Sequence, residues 1–320
     1  MKLVFCTQRL DPDDPVLAAT VPMVRALAAR VDELVVLCDT ATIAIDGVRV
    51  REFGAPTQVQ RGARFAIALA RELRGCGGVV AHMVPLYAVL AAPLVRPLRI
   101  PLVLWYTHWK AHAVVRAAER VCTAVASVDA RSFPLRSSKL HALGHAIDVD
   151  EFRCAEAPPP PLRVLVLGRY SPAKGLETIL RAAREAGAHV EAHGTDESYE
   201  SYKRELEQGF PEAELGGPVS RAELPELFAR SHVLANNMRA GAPDKVVYEA
   251  AASCLPVLAA NPVFDDLLPD ELRFRQDDVD ELARKLRALD PRRRPELREV
   301  VERRHSVGHW ADGLLATVRP

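Results

Sequence analysis

The chain has 320 residues, is 49% hydrophobic and 26% charged, and carries 42 lysines and arginines against 42 aspartates and glutamates. That length allows two domains with separate cores, and a formal net charge of zero argues against nucleic acid as the main partner, since phosphate backbones are met with a basic surplus. Six scattered cysteines without a CxxC pair suggest neither a zinc site nor a disulfide framework, and fit a reducing cytosol.

MKLVFCT opens the chain with an apolar run too short for a signal peptide, and it reads as a first β-strand. A polar, proline-bounded loop follows at residues 7–17, and then ELVVLC, GVVAHM, PLVLWYTH, TAVASVDA and KLHALGHAI read as strands between helical patterns. RGARFAIALARELRG interleaves Phe65, Ile67, Leu69 and Leu73 with four arginines. Such a helix could lie on an anionic membrane surface, but apolar patterning toward a core accounts for it as an ordinary crossover helix. VPLYAVLAAPLV stops at Arg96, short of the ~18 apolar residues of a spanning segment, and reads as a buried helix. Residues 1–157 hold 19 basic against 15 acidic residues, and the remainder 23 against 27, so the first half is compatible with an anionic surface without requiring one.

Pro158–Pro161 form a stiff run that neither a helix nor a central strand tolerates, which places a linker there. Beyond it RVLVLG, HVEAHG, HVLANN and LPVLAA are again separated by helices. Alternation of this kind predicts βαβ units, hence an α/β chain of two doubly wound, Rossmann-like domains facing across a cleft. The expected division is a domain over 1–157, a linker over 158–161, a second domain over 162–300, and a closing helix over 301–320 that packs back on the first, anchored by Trp310.

The stretch VLVLGRYSPAKGLETILRAA, residues 164–183, carries the first chemical signal. A strand meets Gly168, and Gly175 opens a helix, with Arg169 and Lys174 in the turn between. The lysine precedes the second glycine and no hydroxyl follows it, so this is not a Walker loop, and no GxGxxG follows the first strand. What remains is a helix N-terminus beside two cations, which suits phosphate oxygens. Further on, Pro243 is placed to begin a helix that carries Glu249 about two turns in, where a carboxylate could accept hydrogen bonds from a ribose diol. Two DxD triplets, at 11–13 and 148–150, are explained by capping and turns, and His82, His141 and His145 end separate strands, so no metal site is expected.

GRYSPAKGLETIL, VSRAELPELFARSHVLANN and DKVVYEAAASCLPVLAA, in this order and spacing, resemble the donor-binding domain of GT-B fold retaining glycosyltransferases of the GT4 family, bacterial type. DPDDPVL, HMVPLYAVLAAPL, LWYTH and LGHAIDVDEF extend the resemblance over nearly the whole chain. The resemblance implies that Arg169 and Lys174, beside Gly168, bind the donor pyrophosphate and stabilise it as it leaves, without a metal or other cofactor. It implies that Glu249 binds the ribose, that Asp244 and Lys245 belong to the donor-binding residues, with Asp244 or the backbone N–H groups of residues 241–245 taking over sugar contacts, that His108 faces the donor sugar, and that Gly144 and His145 mark the domain junction. Gly241 stands where the family's E-x7-E motif has its first glutamate, eight residues before Glu249. The resemblance thus implies a cytoplasmic enzyme, possible at the inner face of a membrane, that takes a UDP- or GDP-sugar donor. Its acceptor would be a glycan, a lipid-linked molecule or a small metabolite, read by residues 7–17. A sugar-nucleotide epimerase or hydrolase, and a non-catalytic sugar-nucleotide-binding subunit, are the alternatives.

Overall fold

The computed structural model describes residues 1–14 and 17–319; Pro15 and Val16 of the expected acceptor loop, and Pro320 of the closing segment, lie outside the described residues. The chain divides into two compact units, Met1–Ala146 with Arg304–Pro320, and Ile147–Arg303.

In the first unit the strands are β1 (Lys2–Cys6), β2 (Arg9–Leu10), β3 (Glu33–Cys38), β4 (Thr40–Ala41), β5 (Val48–Glu52), β6 (Cys76–His82), β7 (Leu102–Trp105), β8 (Ala124–Ser127) and β9 (Leu140–Ala142). Seven of them form one sheet in the order β5-β3-β1-β6-β7-β8-β9, every pairing parallel, while β2 and β4 pair separately. The central strands are continuous apolar runs because helices cover both faces; Leu3 to Cys6 and Leu34 to Cys38 are fully buried. The helices between strands are α1 (Thr20–Ala28), α2 (Gln58–Glu72), α3 (Pro85–Val95) and α4 (Ala113–Val121). Phe65 of α2 stacks on Tyr87 of α3 with ring centroids 5.0 Å apart, and both rings meet Phe53 edge-on, which ties these helices to the sheet.

The second unit has β10 (Arg163–Leu167), β11 (His189–His193), β12 (Glu214–Gly216), β13 (Val233–Asn236) and β14 (Val257–Ala259), parallel throughout in the order β12-β11-β10-β13-β14. Its helices are α5 (Leu176–Ala186), α6 (Glu200–Gly209), α7 (Leu224–Arg230), α8 (Lys245–Ala252), α9 (Val279–Ala288) and α10 (Pro295–Arg304). The last helix, α11 (Val307–Val318), belongs to the first unit, where Trp310 is fully buried and meets Trp105 edge-on at 5.7 Å.

Three features depart from the sequence reading. The edge strands β5 and β12 were not expected; β5 reads VRVRE and leaves every residue at least partly exposed. The units divide at Ala146/Ile147 and not at the proline run, because residues 147–157 are bound to the second unit. Arg298 donates to the carbonyls of Val149, Phe152 and Ala252, and Arg293 to those of Ala155 and Glu156. The expectation of no disulfide framework is also corrected, since Cys154 in this segment is joined by a disulfide to Cys254 just beyond α8, with their Cα atoms 5.1 Å apart. A pairing across 100 residues is made by tertiary packing and leaves no spacing motif. Among the described residues no helix is long and apolar enough to cross a membrane.

Because α11 returns to the first sheet through Trp310, Trp310→Ala should destabilise the protein by about 3–5 kcal/mol, the cost of emptying a buried aromatic site. Denaturant unfolding followed by circular dichroism reads this directly.

Candidate active site

The turn after β10 is built on backbone proximity. Gly168 donates its N–H to the carbonyl of His193 at the end of β11, and the single hydroxyl proton of Tyr170 is shared between the carbonyls of Ala192 and Gly216, 2.9 and 2.7 Å from Oη. Gly194 approaches so closely that a Cβ there would collide with the carbonyl of Gly168. The chain then makes a short 3-10 turn over Pro172–Lys174 and enters α5 through Gly175, whose φ of 58° is left-handed. A Cβ at Gly175 would also collide with the Asn237 amide, so both backbone geometry and space select glycine.

Lys174 folds back over Gly168: a Cβ on that glycine would lie 2.8 Å from the Lys174 ammonium. The ammonium donates to Asp244 Oδ2 at 2.6 Å, and Asn236 at the end of β13 donates to the same oxygen at 2.7 Å. Asn237 holds the neighbouring backbone, donating to the Gly175 carbonyl at 3.2 Å and to Asp277 at 2.8 Å. A partly buried cation is thus collected at the carboxyl ends of two adjacent parallel strands, where ligands of such sheets bind. Arg169 is exposed and stands apart from this contact.

The helix behind it starts at Lys245, not at Pro243 as the sequence suggested, because Asp244 is extended and occupies the cap position. Gly241, with φ 86°, lies in a loop pinned by buried Asn261, which accepts from the Gly241 N–H at 3.3 Å and donates to the carbonyls of Arg239 and Ala242. Glu249 is buried, and its carboxylate accepts from Arg221 Nη1 at 2.7 Å. Arg221 Nη2 pairs with Glu151 at 2.6 Å. Burial works against the Arg221 charge, but Glu249 and Glu151 outweigh it and hold the guanidinium above its usual range. Part of Lys245 remains exposed, yet its ammonium is desolvated, which pushes its pKa down to about 8 despite the pull of Glu249.

Lys174, Gly168 and Asp244 therefore meet in one cluster, and Glu249 and Lys245 in a second, charge-balanced one. Arg221 and Glu151 went unnoticed from sequence. The signal for Arg221 was its position inside a capping box, Ser220-x-x-Glu223, which fixes the turn that presents it. His108 lies in the first unit, after β7, half-buried; Nδ1 accepts from the Lys110 N–H at 3.0 Å, and the ring stacks on Trp109. Burial, then Lys110 and His112, lower its pKa. Gly144 and His145 follow β9 in the same unit, and a Cβ at Gly144 would collide with the Arg304 carbonyl at the start of the connection to α11. The DxD triplets serve turns: Asp11 accepts from the Asp13 N–H, and Asp148 caps the turn over Val149–Glu151. Among the described residues no cluster of three metal-ligating side chains forms. A surface depression of about 700 Å³ lined by Glu177, Arg181, Tyr202 and Phe210 opens between α5 and α6.

Solved structures share this architecture. A glycosyltransferase from Rickettsia africae superposes with a TM-score of 0.77 at 11% identity, covering 99% of this chain and 97% of the other. AviGT4, a glycosyltransferase involved in avilamycin A biosynthesis, gives 0.73 at 15% identity over 99% and 97%. The fold is GT-B. It is also the fold of a UDP-GlcNAc 2-epimerase from Methanocaldococcus jannaschii, with a TM-score of 0.60 at 10% identity over 99% of each chain. A family model described as glycosyl transferase-like matches residues 171–316. No curated protein sequence matches the chain.

Two outcomes follow. Arg221→Ala strands the Glu249 carboxylate in a buried setting and should cost about 3–5 kcal/mol in denaturant unfolding, with much of the loss recovered when Glu249→Gln is added. Lys245 holds its proton less tightly in the fold than in the unfolded chain, so below about pH 8 the fold carries the full penalty. Stability should rise as pH climbs from about 8 toward 10.5, and Lys245→Met should abolish that rise in urea titrations across the same range.

Proposed function

We propose that this protein is a retaining glycosyltransferase of the GT4 type that moves a sugar from a nucleotide-sugar donor, a UDP- or GDP-sugar, to a hydroxyl acceptor. The observation that carries the reading is the Lys174 ammonium seated over Gly168 at the end of β10, ordered by the Asp244 carboxylate, which the Asn236 amide holds in turn. The family match over residues 171–316 supports it.

In this reading the Asp244 carboxylate holds the place that a diphosphate oxygen takes when donor binds. Lys174, exposed Arg169 and the N–H groups opening α5 then gather around the diphosphate. As the bond from the anomeric carbon to the phosphate oxygen breaks, negative charge grows on the departing nucleoside diphosphate. These fixed donors stabilise that charge most strongly in the transition state. The acceptor oxygen forms its bond to the anomeric carbon on the same face, and its proton passes to the departing phosphate oxygen. Glu249 receives the ribose hydroxyls, for which it shares its carboxylate with Arg221. Lys245 lies beside Glu249, so its charge state follows that occupancy. His108, neutral and accepting at Nδ1, carries its proton on Nε2 and orients the sugar or the acceptor.

A second reading, a non-catalytic sugar-nucleotide-binding subunit, is favoured by one observation. Gly241 offers no side chain where a donor-sugar contact is expected, and its N–H is already taken by Asn261. Turnover separates the two. Incubation with UDP-, GDP-, ADP- and TDP-sugars should release nucleotide from one donor, read by mass spectrometry. Lys174→Ala and Glu249→Ala should each lower that rate by about a hundredfold or more while the fold persists. Donor binding without release or transfer, across added acceptors, would favour the subunit; near-wild-type turnover in both variants would remove the site assignment.

A further inference from the structure

Cys154 and Cys254 form the one disulfide among the described residues, and its two ends differ in exposure. Cys254 is fully buried two residues beyond α8, with its carbonyl accepting from the Arg294 N–H at 2.7 Å. Cys154 is exposed, on the segment 147–157 with which the chain enters the second unit. The other four cysteines do not compete for a redox partner. Cys6, Cys38 and Cys122 are buried, and burial pushes the Cys38 and Cys122 thiols up to about 12, far from a reactive thiolate near neutral pH. Cys76 is partly buried, and its thiol is raised for the same reason.

The disulfide joins two pieces of chain that compete for one guanidinium. Glu151 lies three residues before Cys154, and Glu249 five residues before Cys254. Arg221 gives Nη2 to Glu151 at 2.6 Å and Nη1 to Glu249 at 2.7 Å. The Glu249 side chain is 5% exposed and that of Glu151 36%, so Glu151 is the arm held less firmly. The segment also has noncovalent anchors. Phe152 is fully buried, its ring centroid 5.9 Å from that of Phe228 and 5.5 Å from the Arg221 guanidinium carbon. Arg298 bridges the segment to α8 by donating to the carbonyls of Val149, Phe152 and Ala252. These contacts keep the two sulfurs near one another when the bond is open, so closing it again is an intramolecular step.

We propose that Cys154–Cys254 is a reversible thiol switch that sets how much of the Glu249 carboxylate is open to a ligand. Closed, it fixes Glu151 where that carboxylate draws one arm of Arg221 away from Glu249. A dithiol opens it. One thiolate attacks the exposed Cys154 sulfur, the bond to Cys254 breaks, and its electron pair leaves on the Cys254 sulfur, which takes up a proton. The second thiol then displaces Cys154 as a thiol, and the reductant departs as its own disulfide; two electrons and two protons have passed to the protein. Glu151 loses its covalent tie, and Arg221 turns to Glu249 alone. Two N–H donors on one carboxylate, the arrangement a guanidinium favours, leave less of it for a diol. The closed form is therefore the binding form. Its effect on donor affinity rests on the ribose role proposed for Glu249; the switch itself does not.

The test uses the full chain purified without reductant. Alkylation before and after dithiothreitol, read by mass spectrometry, should show the pair closed, then opened in the folded protein, then closed again when oxidised glutathione replaces the reductant. Hydrogen exchange should quicken over residues 147–157 and α8 when the pair opens. In calorimetric titration, UDP or GDP should bind the reduced form about three- to tenfold more weakly than the oxidised one. Cys154→Ser should match the reduced wild type in both conditions. Glu151→Gln should bind weakly and no longer respond to dithiothreitol, which a disulfide serving stability alone would not produce. Free thiols in the purified protein, a bond that opens only on unfolding, unchanged exchange, or equal measurable affinity of the two forms would overturn the proposal. If neither form bound either nucleotide while opening and faster exchange persisted, the switch would stand and the donor-binding reading would fall.

Discussion

The second unit depends on how closely three backbone segments meet at the carboxyl ends of β10, β11 and β13. Gly168, Gly175 and Gly194 remove the Cβ atoms that would hold these segments apart. Only then can the Lys174 side chain lie across Gly168 and reach Asp244 at the start of α8. A methyl group at any of the three positions would push a strand end, a helix entry or the lysine itself out of place. The phosphate-binding capacity proposed for this site is therefore a property of backbone packing first, and of charge second.

The two charge clusters of the second unit differ in what they can do. The Lys174 and Asp244 side chains are 18% and 17% exposed, and the proposed donor binding requires a diphosphate to displace the carboxylate there. In the group of Glu151, Arg221, Glu249 and Lys245 the Glu249 carboxylate is the most buried member, and removing Arg221 would strip that buried charge of its closest partner. The group also binds residues 147–157, which carry Glu151 and Cys154, to the body of the unit. Placement of Glu249 and attachment of this segment thus share one guanidinium.

Much of this was legible in the residues. Strands buried on both faces announce themselves as continuous apolar runs, so β1, β3, β6, β10 and β13 could be read directly. The edge strands β5 and β12 could not, because one alternates with arginines and the other has only three residues. Lys174, Asp244 and Glu249 were indicated by their places beside glycine turns and in a known motif order. Arg221 and Glu151 acquire their roles only when β12, α7 and the 147–157 segment come together; the capping box around Arg221 marks a turn, not its partners. The cysteine pair was hidden for the same reason. The exposure of Val59 and Ile67 on α2 was not legible, because the 3.6-residue period says which face can be buried, not how much of the rest is covered.

The most direct measurement is calorimetric titration of the protein with free UDP and GDP, comparing wild type with Lys174→Ala. If the cradle at the end of β10 receives a diphosphate, one nucleotide should bind the wild type, and the substitution should weaken it by about tenfold or more, the scale of a charge-assisted contact. Equal affinity in both proteins, or no binding of either nucleotide to the wild type, would contradict the account.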